Sequence, residues 1–368
     1  MMNIQEYLDK MREIQKSLIQ CIDDNDTNEE SFLNLKKLII DQKINDEKYD
    51  LKTFLNLFLR ISNNHHCSKY SLNNIIEILQ LLKNDIIKYF SNDEIFNIFK
   101  DNKRILLYLI EEKILIINKT IASKLMKEKY EMAKYPQYFF NEIKSFIDEP
   151  KIDKISNEIP EDFEEKRKIG ENDNFICEFI RNDLINDFIS YVSKSKINLK
   201  RATIEQSIFE TNQFLLKKKQ QITLIEYASF FGSIQIFKYL INQKVDLRPS
   251  VWLFAIHGSN SEIIHFLEEK HIEPDDRSFK KCIKESIKCH HNDLANYFIN
   301  NLDQSENEIL KNFSSKYVKY YNFEFFQEKM IDSLPFYNFC KWDYANLVKI
   351  LLLKENIDVN KYIIFILI

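Results

Sequence analysis

Glycine is the residue this chain does without: only Gly170, Gly232 and Gly258 occur in 368 positions. Tight β-hairpins and phosphate-cradling loops use glycine at positive φ or where two backbones approach closely. Three isolated glycines leave little room for sheet-rich folds and none for a clustered-glycine nucleotide loop. What remains is helix, and the apolar residues agree. Ile75, Ile78, Leu79, Leu82, Ile86 and Phe90 recur at spacings of three and four, the period of a helix with one buried face. Ser71 and Ser91 each stand before an apolar-periodic stretch and are expected N-caps, and Glu94, three residues after Ser91, completes a capping box. The expected fold class is all-α.

Three regions are expected along the chain. Residues 1–130 form a helical N-terminal domain. Residues 131–172 form an acidic connector of short helices, where Pro136 and Pro150 interrupt the periodicity and Pro160, followed by Glu161, Asp162, Glu164 and Glu165, is expected to open a helix. Residues 173–368 are repetitive. The clearest unit, 223–247, reads as a short helix, a turn at Gly232, a second helix through Leu240 and an exit loop near Asp246. A second copy begins at Ser250 and places Ala255 27 residues after Ala228. Further second helices read at 187–192, 292–298 and 345–352, and a fainter form at 104–114 carries the pattern back into the first half. The step from Val192 to Leu240 is longer, 48 residues, so extra chain lies between those two units.

Thr223, Ile225, Ala228, Gly232, Ile236, Leu240 and Asp246 fall in register with the pattern of ankyrin repeats, which this stretch resembles. Leu224, Glu226 and Lys244 depart from it, standing where the family carries proline, histidine and a second glycine. The stretches 225–240, 288–292 and 160–170 are also similar to a large ankyrin-related family of parabasalid protists, a likeness that spans nearly the whole chain. The resemblance implies an ankyrin-like α-solenoid of helix-turn-helix repeats after the helical N-terminal region. It implies binding to a partner protein and no activity of its own. It also implies that the first-helix positions Tyr227, Phe230, Phe231, Phe254 and His257 line a concave partner-binding face; the alternative is that they pack between neighbouring first helices. In such arrays a small residue at Ala228 or Ala255 lets two helices approach, and each apolar stripe is buried only by the neighbouring unit.

The remaining chemistry is sparse. Charged residues make up 29% of the chain and nearly cancel, at a net charge of −4. That balance gives no pull toward nucleic acid or an anionic membrane, so neither is an expected partner. No GxSxG, HExxH, HRD or DFG pattern occurs, and the protein is expected not to be an enzyme. Two runs, His65-His66-Cys67 and Cys289-His290-His291 with Cys282 upstream, contain metal-ligating residue types. Three consecutive residues point in different directions and converge poorly on one ion. No metal and no cofactor is expected. The lysine run 217–219 reads as a solvated loop. The six cysteines are dispersed, and the polar, charged stretch 1–10 lacks the character of a signal peptide, so reduced thiols and a cytoplasmic location are expected. The terminal run 362–368 is apolar but far shorter than the roughly 20 residues of a membrane helix. An uncapped, apolar end suggests the alternative function, a structural protein that self-associates through its C-terminal end.

Overall fold

The computed structural model describes residues 3–24, 29–65, 71–127, 130, 132–216, 221–302, 305–331 and 334–353. The lysine run, His66, Cys67 and the apolar tail 354–368 lie outside the described residues. The chain is all-α; among the described residues the only β-type pairing is an isolated bridge between Thr203 and Thr223. The helices are α1 (Ile4–Asp23), α2 (Glu29–Asp41), α3 (Lys48–Asn64), α4 (Ser71–Tyr89), α5 (Asn92–Phe99), α6 (Lys103–Glu111), α7 (Lys119–Leu125), α8 (Tyr135–Tyr138), α9 (Phe140–Ile143), α10 (Glu149–Ser156), α11 (Phe163–Ile169), α12 (Phe175–Arg181), α13 (Ile185–Lys194), α14 (Gln213–Leu216), α15 (Leu224–Phe230), α16 (Ile234–Asn242), α17 (Val251–Gly258), α18 (Ser261–Glu269), α19 (Lys280–Cys289), α20 (Asn292–Asn300), α21 (Glu306–Tyr320), α22 (Phe336–Lys341) and α23 (Ala345–Leu353). No helix of the described residues is long and apolar enough to cross a membrane.

The period-derived helix is α4, whose Ile75, Ile78, Leu79, Leu82 and Ile86 are all buried. Ser91 caps α5 as expected: it accepts from the Glu94 N–H at 3.4 Å, and the Glu94 carboxylate accepts from the Ser91 N–H at 2.9 Å. Pro160 does not open its helix. The chain makes a turn first and α11 starts at Phe163, with the acids Glu164 and Glu165 in its first turn and Gly170 at φ +73° closing it. Pro136 and Pro150 take the helix-opening place instead, at the starts of α8 and α10, where a missing N–H costs nothing.

The chain divides into two compact units: residues Met1–Asp85 with Asp276–Ile368, and residues Ile86–Asp275. In the first, α1 lies against α2, α3 and α23, while α3 also meets α19. Gln15 of α1, almost fully buried, ties the two ends of the chain together. Its Nε2 donates to Asn322 Oδ1 at 3.3 Å, and the Phe323 N–H donates to its Oε1 at 2.6 Å. Asn322 in turn donates to the Ile287 carbonyl at 3.0 Å and to Asn292 Oδ1 at 2.8 Å.

In the second unit three hairpins, α12/α13, α15/α16 and α17/α18, lie in succession. First helices pack on first helices and second helices on second. The links between neighbours are polar as well as apolar. Asp183 accepts from the Gln235 and Ile236 N–H groups, both at 3.0 Å, and Ser233 Oγ donates to the Ile180 carbonyl. Asn260 donates to the Gly232 carbonyl at 3.1 Å. Glu226, in the place where the sequence pattern has histidine, forms a capping box with Thr223 and accepts from Ser250 Oγ of the next hairpin at 2.5 Å.

A recurrent turn replaces the missing glycines. After α2, α6, α13, α16 and α18 the chain places Lys43, Lys113, Lys196, Lys244 and His271 in the left-handed region, at φ between 50° and 57°. The next residue then bonds back five positions, as in Ile114 N–H to the Leu109 carbonyl at 2.8 Å and Val245 N–H to the Leu240 carbonyl at 3.2 Å. These are Schellman closures. The same closure ends the first helices α12, α15, α19 and α22, with Asp183, Gly232, His290 and Asp343 at the left-handed position. A side chain there costs about 1–2 kcal/mol relative to the right-handed region. Replacing Lys113, Lys196, Lys244 or His271 singly by glycine is therefore expected to raise stability by up to about 1 kcal/mol, after allowing for glycine's greater freedom in the unfolded chain. A lowered thermal midpoint in all four variants would contradict this account of the turns.

Candidate functional site

The extra chain between the α12/α13 hairpin and α15 builds the site. It leaves the hairpin as an extended stretch, bridges Thr203 to Thr223, and passes the Ile204 N–H to the Ile222 carbonyl at 2.7 Å. It then turns at Asn212, whose Oδ1 accepts from the N–H groups of Phe214 and Leu215 at 2.9 and 3.3 Å. That turn starts α14 and directs Phe214 onto the first helices. The Phe214 ring centroid lies 5.6 Å from that of Phe230, 5.0 Å from Phe254 and 4.1 Å from the imidazole of His257.

This decides where the sequence-derived binding residues sit. Tyr227, Phe230, Phe254 and His257 are at most 2% exposed. Phe231 is half-buried and packs on Tyr227 and Phe230, at centroid separations of 4.8 and 4.9 Å. The five do come together on the first-helix face. They do not form an open surface, because the chain's own α14 covers the face that the resemblance leaves bare.

The same inserted segment encloses a cavity of about 450 Å³, lined by Asn172, Thr203–Ser207, Glu210, Leu215, Leu216, Gln221, Ile222 and Tyr227. Its polar wall is tightly organised. Glu210 is 7% exposed, and its Oε1 accepts from the Asn212 N–H at 2.7 Å. Burial drives its carboxyl pKa up to about 7, against the pull of the Asn212 N–H and the Arg181 guanidinium. Lys103 of α6 is fully buried behind it and donates from Nζ to the carbonyls of Glu210 at 2.9 Å and Ile208 at 3.4 Å. Burial pulls that ammonium down to about 7, opposed by the Glu210 charge. Arg181 donates to the Asn172 carbonyl at 2.7 Å and to Tyr227 Oη at 3.2 Å, and pairs with Glu171 at 2.7 Å. Tyr227 is raised well above its ordinary value by burial and by the neighbouring Glu210 charge, and burial lifts Cys177 to about 12, so that thiol is a poor nucleophile. A concave site beside buried, shifted titratable groups is a general signature of a ligand site.

None of this cluster was singled out from the sequence. Lys103, Arg181 and Glu210 are ordinary charged residues in three separate segments. The one available signal is the long step between Val192 and Leu240, which marks where the segment enters.

Of the two histidine runs, His65, His290 and His291 are described. Within the first compact unit, His65 Nδ1 faces the Cys289 carbonyl at 2.7 Å and its Nε2 faces Asp23 at 2.9 Å. His290 occupies the left-handed turn position, with Nε2 on the Tyr320 carbonyl at 3.0 Å, and burial drives its pKa down to about 3. His291 begins α20 with φ −81° and ψ 73°, nearly the values of Ser233 before α16, −74° and 78°. The two turns that precede α16 and α20 therefore share one backbone geometry. Cys21, Cys177, Cys282 and Cys289 are buried and Cys340 is exposed. No family model matches the chain, and neither a curated protein nor a solved structure matches it.

Proposed function

We propose that the protein is a non-enzymatic scaffold that holds a partner protein on an ankyrin-like array of helical hairpins. The observation that carries this reading is the two-row packing of α12/α13, α15/α16 and α17/α18, with the same turn geometry repeated from hairpin to hairpin. A stack of this kind grows one hairpin at a time and presents an extended surface without needing a catalytic centre. The surface best suited to contact is an aromatic patch on the first of those hairpins. Phe175 is 62% exposed and Leu184 41% exposed. Phe175 and Phe179 flank Tyr191 at ring separations of 6.4 and 5.7 Å. Clustered aromatics with open faces are the usual anchors of protein interfaces.

Two variants test the reading. Phe175→Ser with Tyr191→Ser is expected to abolish partner recovery after in-cell cross-linking while the thermal midpoint stays unchanged. Phe230→Ser with Phe231→Ser is expected to unfold the array, since removing a buried phenylalanine alone costs about 3–5 kcal/mol. Undiminished recovery of every cross-linked protein by the first variant would defeat the proposal.

A further inference from the structure

In the first compact unit, positive charges from three helices gather around one indole. The Arg60 guanidinium of α3 lies 5.7 Å from the Trp342 ring centroid, the Lys319 ammonium of α21 5.6 Å and the Lys341 ammonium of α22 5.5 Å. No two of these charges are then more than about 11 Å apart, twice the largest of those distances. The packing that brings them together is direct: α19 lies against both α3 and α21, and α21 against α22. Trp342 is fastened in place, since the Tyr321 hydroxyl donates to its carbonyl and the Tyr344 hydroxyl donates to the Val318 carbonyl at 2.8 Å. Arg60, Lys316, Lys319 and Trp342 are half-buried and Lys341 is exposed, so solvent reaches the cluster.

Like charges held this close disfavour one another. Burial and the charges of Lys316, Arg60, Lys288 and Lys341 keep the Lys319 ammonium below its ordinary pKa. Among the described residues Arg60, Lys316, Lys319 and Lys341 form no ion pair; the neighbouring acids are engaged elsewhere, Glu285 with Lys288 and Asp343 with Lys52. The Arg60 Nε is also buried with no hydrogen-bond partner among the described residues, a donor that a bound acceptor would satisfy. We infer that this cluster binds a short polyphosphate group, free or carried by a nucleotide, whose oxygens bridge Arg60, Lys319 and Lys341 with Lys316 beside them. The amount of charge selects the ligand class. A carboxylate offsets one of the four positive charges and a monophosphate about two; a chain of three phosphates offsets nearly all of them. A nucleic-acid strand fits less well, because the whole chain carries a net charge of −4 and gives a long polyanion no further basic surface to follow.

The experiment is isothermal titration of the full chain, at low ionic strength, with sodium tripolyphosphate, with ATP free of magnesium and with sodium sulfate. Tripolyphosphate is expected to bind saturably with a Kd below about 1 mM, and sulfate at least about tenfold more weakly. Equal affinity for ATP and tripolyphosphate assigns recognition to the phosphates alone; tighter binding of ATP adds its base to the contact. Lys319→Gln with Lys341→Gln should weaken tripolyphosphate by at least about tenfold, and arginine at both positions should keep it. Lys281→Gln, which removes the same charge two turns before Lys288 on α19, should leave it unchanged. Melting curves report whether each variant is folded; if the double glutamine variant is not, Lys316→Gln alone, expected to weaken binding about threefold, decides. The inference is overturned if tripolyphosphate does not bind, the result also expected should an acid outside the described residues, such as Asp332, Glu355 or Asp358, already fill the cluster. It is equally overturned if a folded glutamine variant binds as tightly as the parent, if sulfate matches tripolyphosphate, or if a short oligothymidylate binds more tightly than either phosphate probe. Phe175 and Tyr191 belong to the other compact unit, so their variant bears only on the scaffold reading.

Discussion

Gly258→Ala is expected to lower the thermal midpoint by roughly 4–8 °C, although alanine is the better helix former. Gly258 is the last residue of α17 and faces the end of α15. A methyl group added there would sit 2.2 Å from the Ser229 carbonyl oxygen, 2.9 Å from the Gly232 nitrogen and 3.2 Å from the Phe230 oxygen. All three are backbone atoms, so no side chain can rotate away and the two hairpins must separate. Helix propensity favours the alanine by about 1 kcal/mol. Overpacking against a fixed backbone costs about 1–3 kcal/mol and sometimes more, and the separation here also threatens the Asn260–Gly232 and Glu226–Ser250 bonds that join the hairpins. The steric term wins, with a net loss of about 2 kcal/mol, which for a unit of this size corresponds to roughly 4–8 °C. Differential scanning fluorimetry checks it; a midpoint equal to or above that of the parent would mean that α15 and α17 are not in this contact.

Glu210→Gln is expected to stabilise the protein at neutral pH and to do nothing at pH 4. The sign follows from where the proton resides. Below about 4.5 both the folded and the unfolded chain hold it, and the carboxyl makes no difference. Between 4.5 and about 7 the folded protein still holds it while the unfolded chain has released it, so stability falls as pH rises. Above 7 the loss is complete and amounts to about 3 kcal/mol. Glutamine keeps the acceptor for the Asn212 N–H and removes the titration. Lys103 acts in the opposite direction: held down to about 7 from 10.5, it makes stability rise again between 7 and 10.5. The parent should therefore pass through a stability minimum near neutrality. In melting curves from pH 4 to 10, the gap between Glu210→Gln and the parent should open between 4.5 and 7. A gap constant with pH would refute the buried, uncompensated carboxylate.

The helices were legible because burial imposes a period on the residues. Ile78, Leu79, Leu82 and Ile86 announced α4, and Ser91 with Glu94 announced the start of α5. The hairpin positions Ala228, Gly232 and Leu240 could be read because a close approach, a left-handed turn and a buried stripe each demand a residue type. The other turns were harder. At Lys43, Lys113, Lys196 and Lys244 the same left-handed backbone is held by its two hydrogen bonds and the apolar residue that follows, with a side chain no turn rule would select. The burial of the aromatic positions is hard to read for a different reason. The aromatic positions were found, but residue pattern cannot tell an open face from one covered by a distant segment, and it was Phe214 that decided. Nor does periodicity say which helices share a face.

The pairing of the chain's two ends has a consequence for how the protein is made. Gln15 and Arg12 on α1 hold residues 322–326 through hydrogen bonds, and Asp50 and Lys52 on α3 reach Asn346 and Asp343. On the ribosome, α1 and α3 emerge first and must wait, apolar faces uncovered, while residues 86–275 are synthesised, a delay of roughly 10–40 s at ordinary elongation rates. The continuous unit can complete itself in that interval, so α1 and α3, though made before it, find their places only after residues 322–346 have followed.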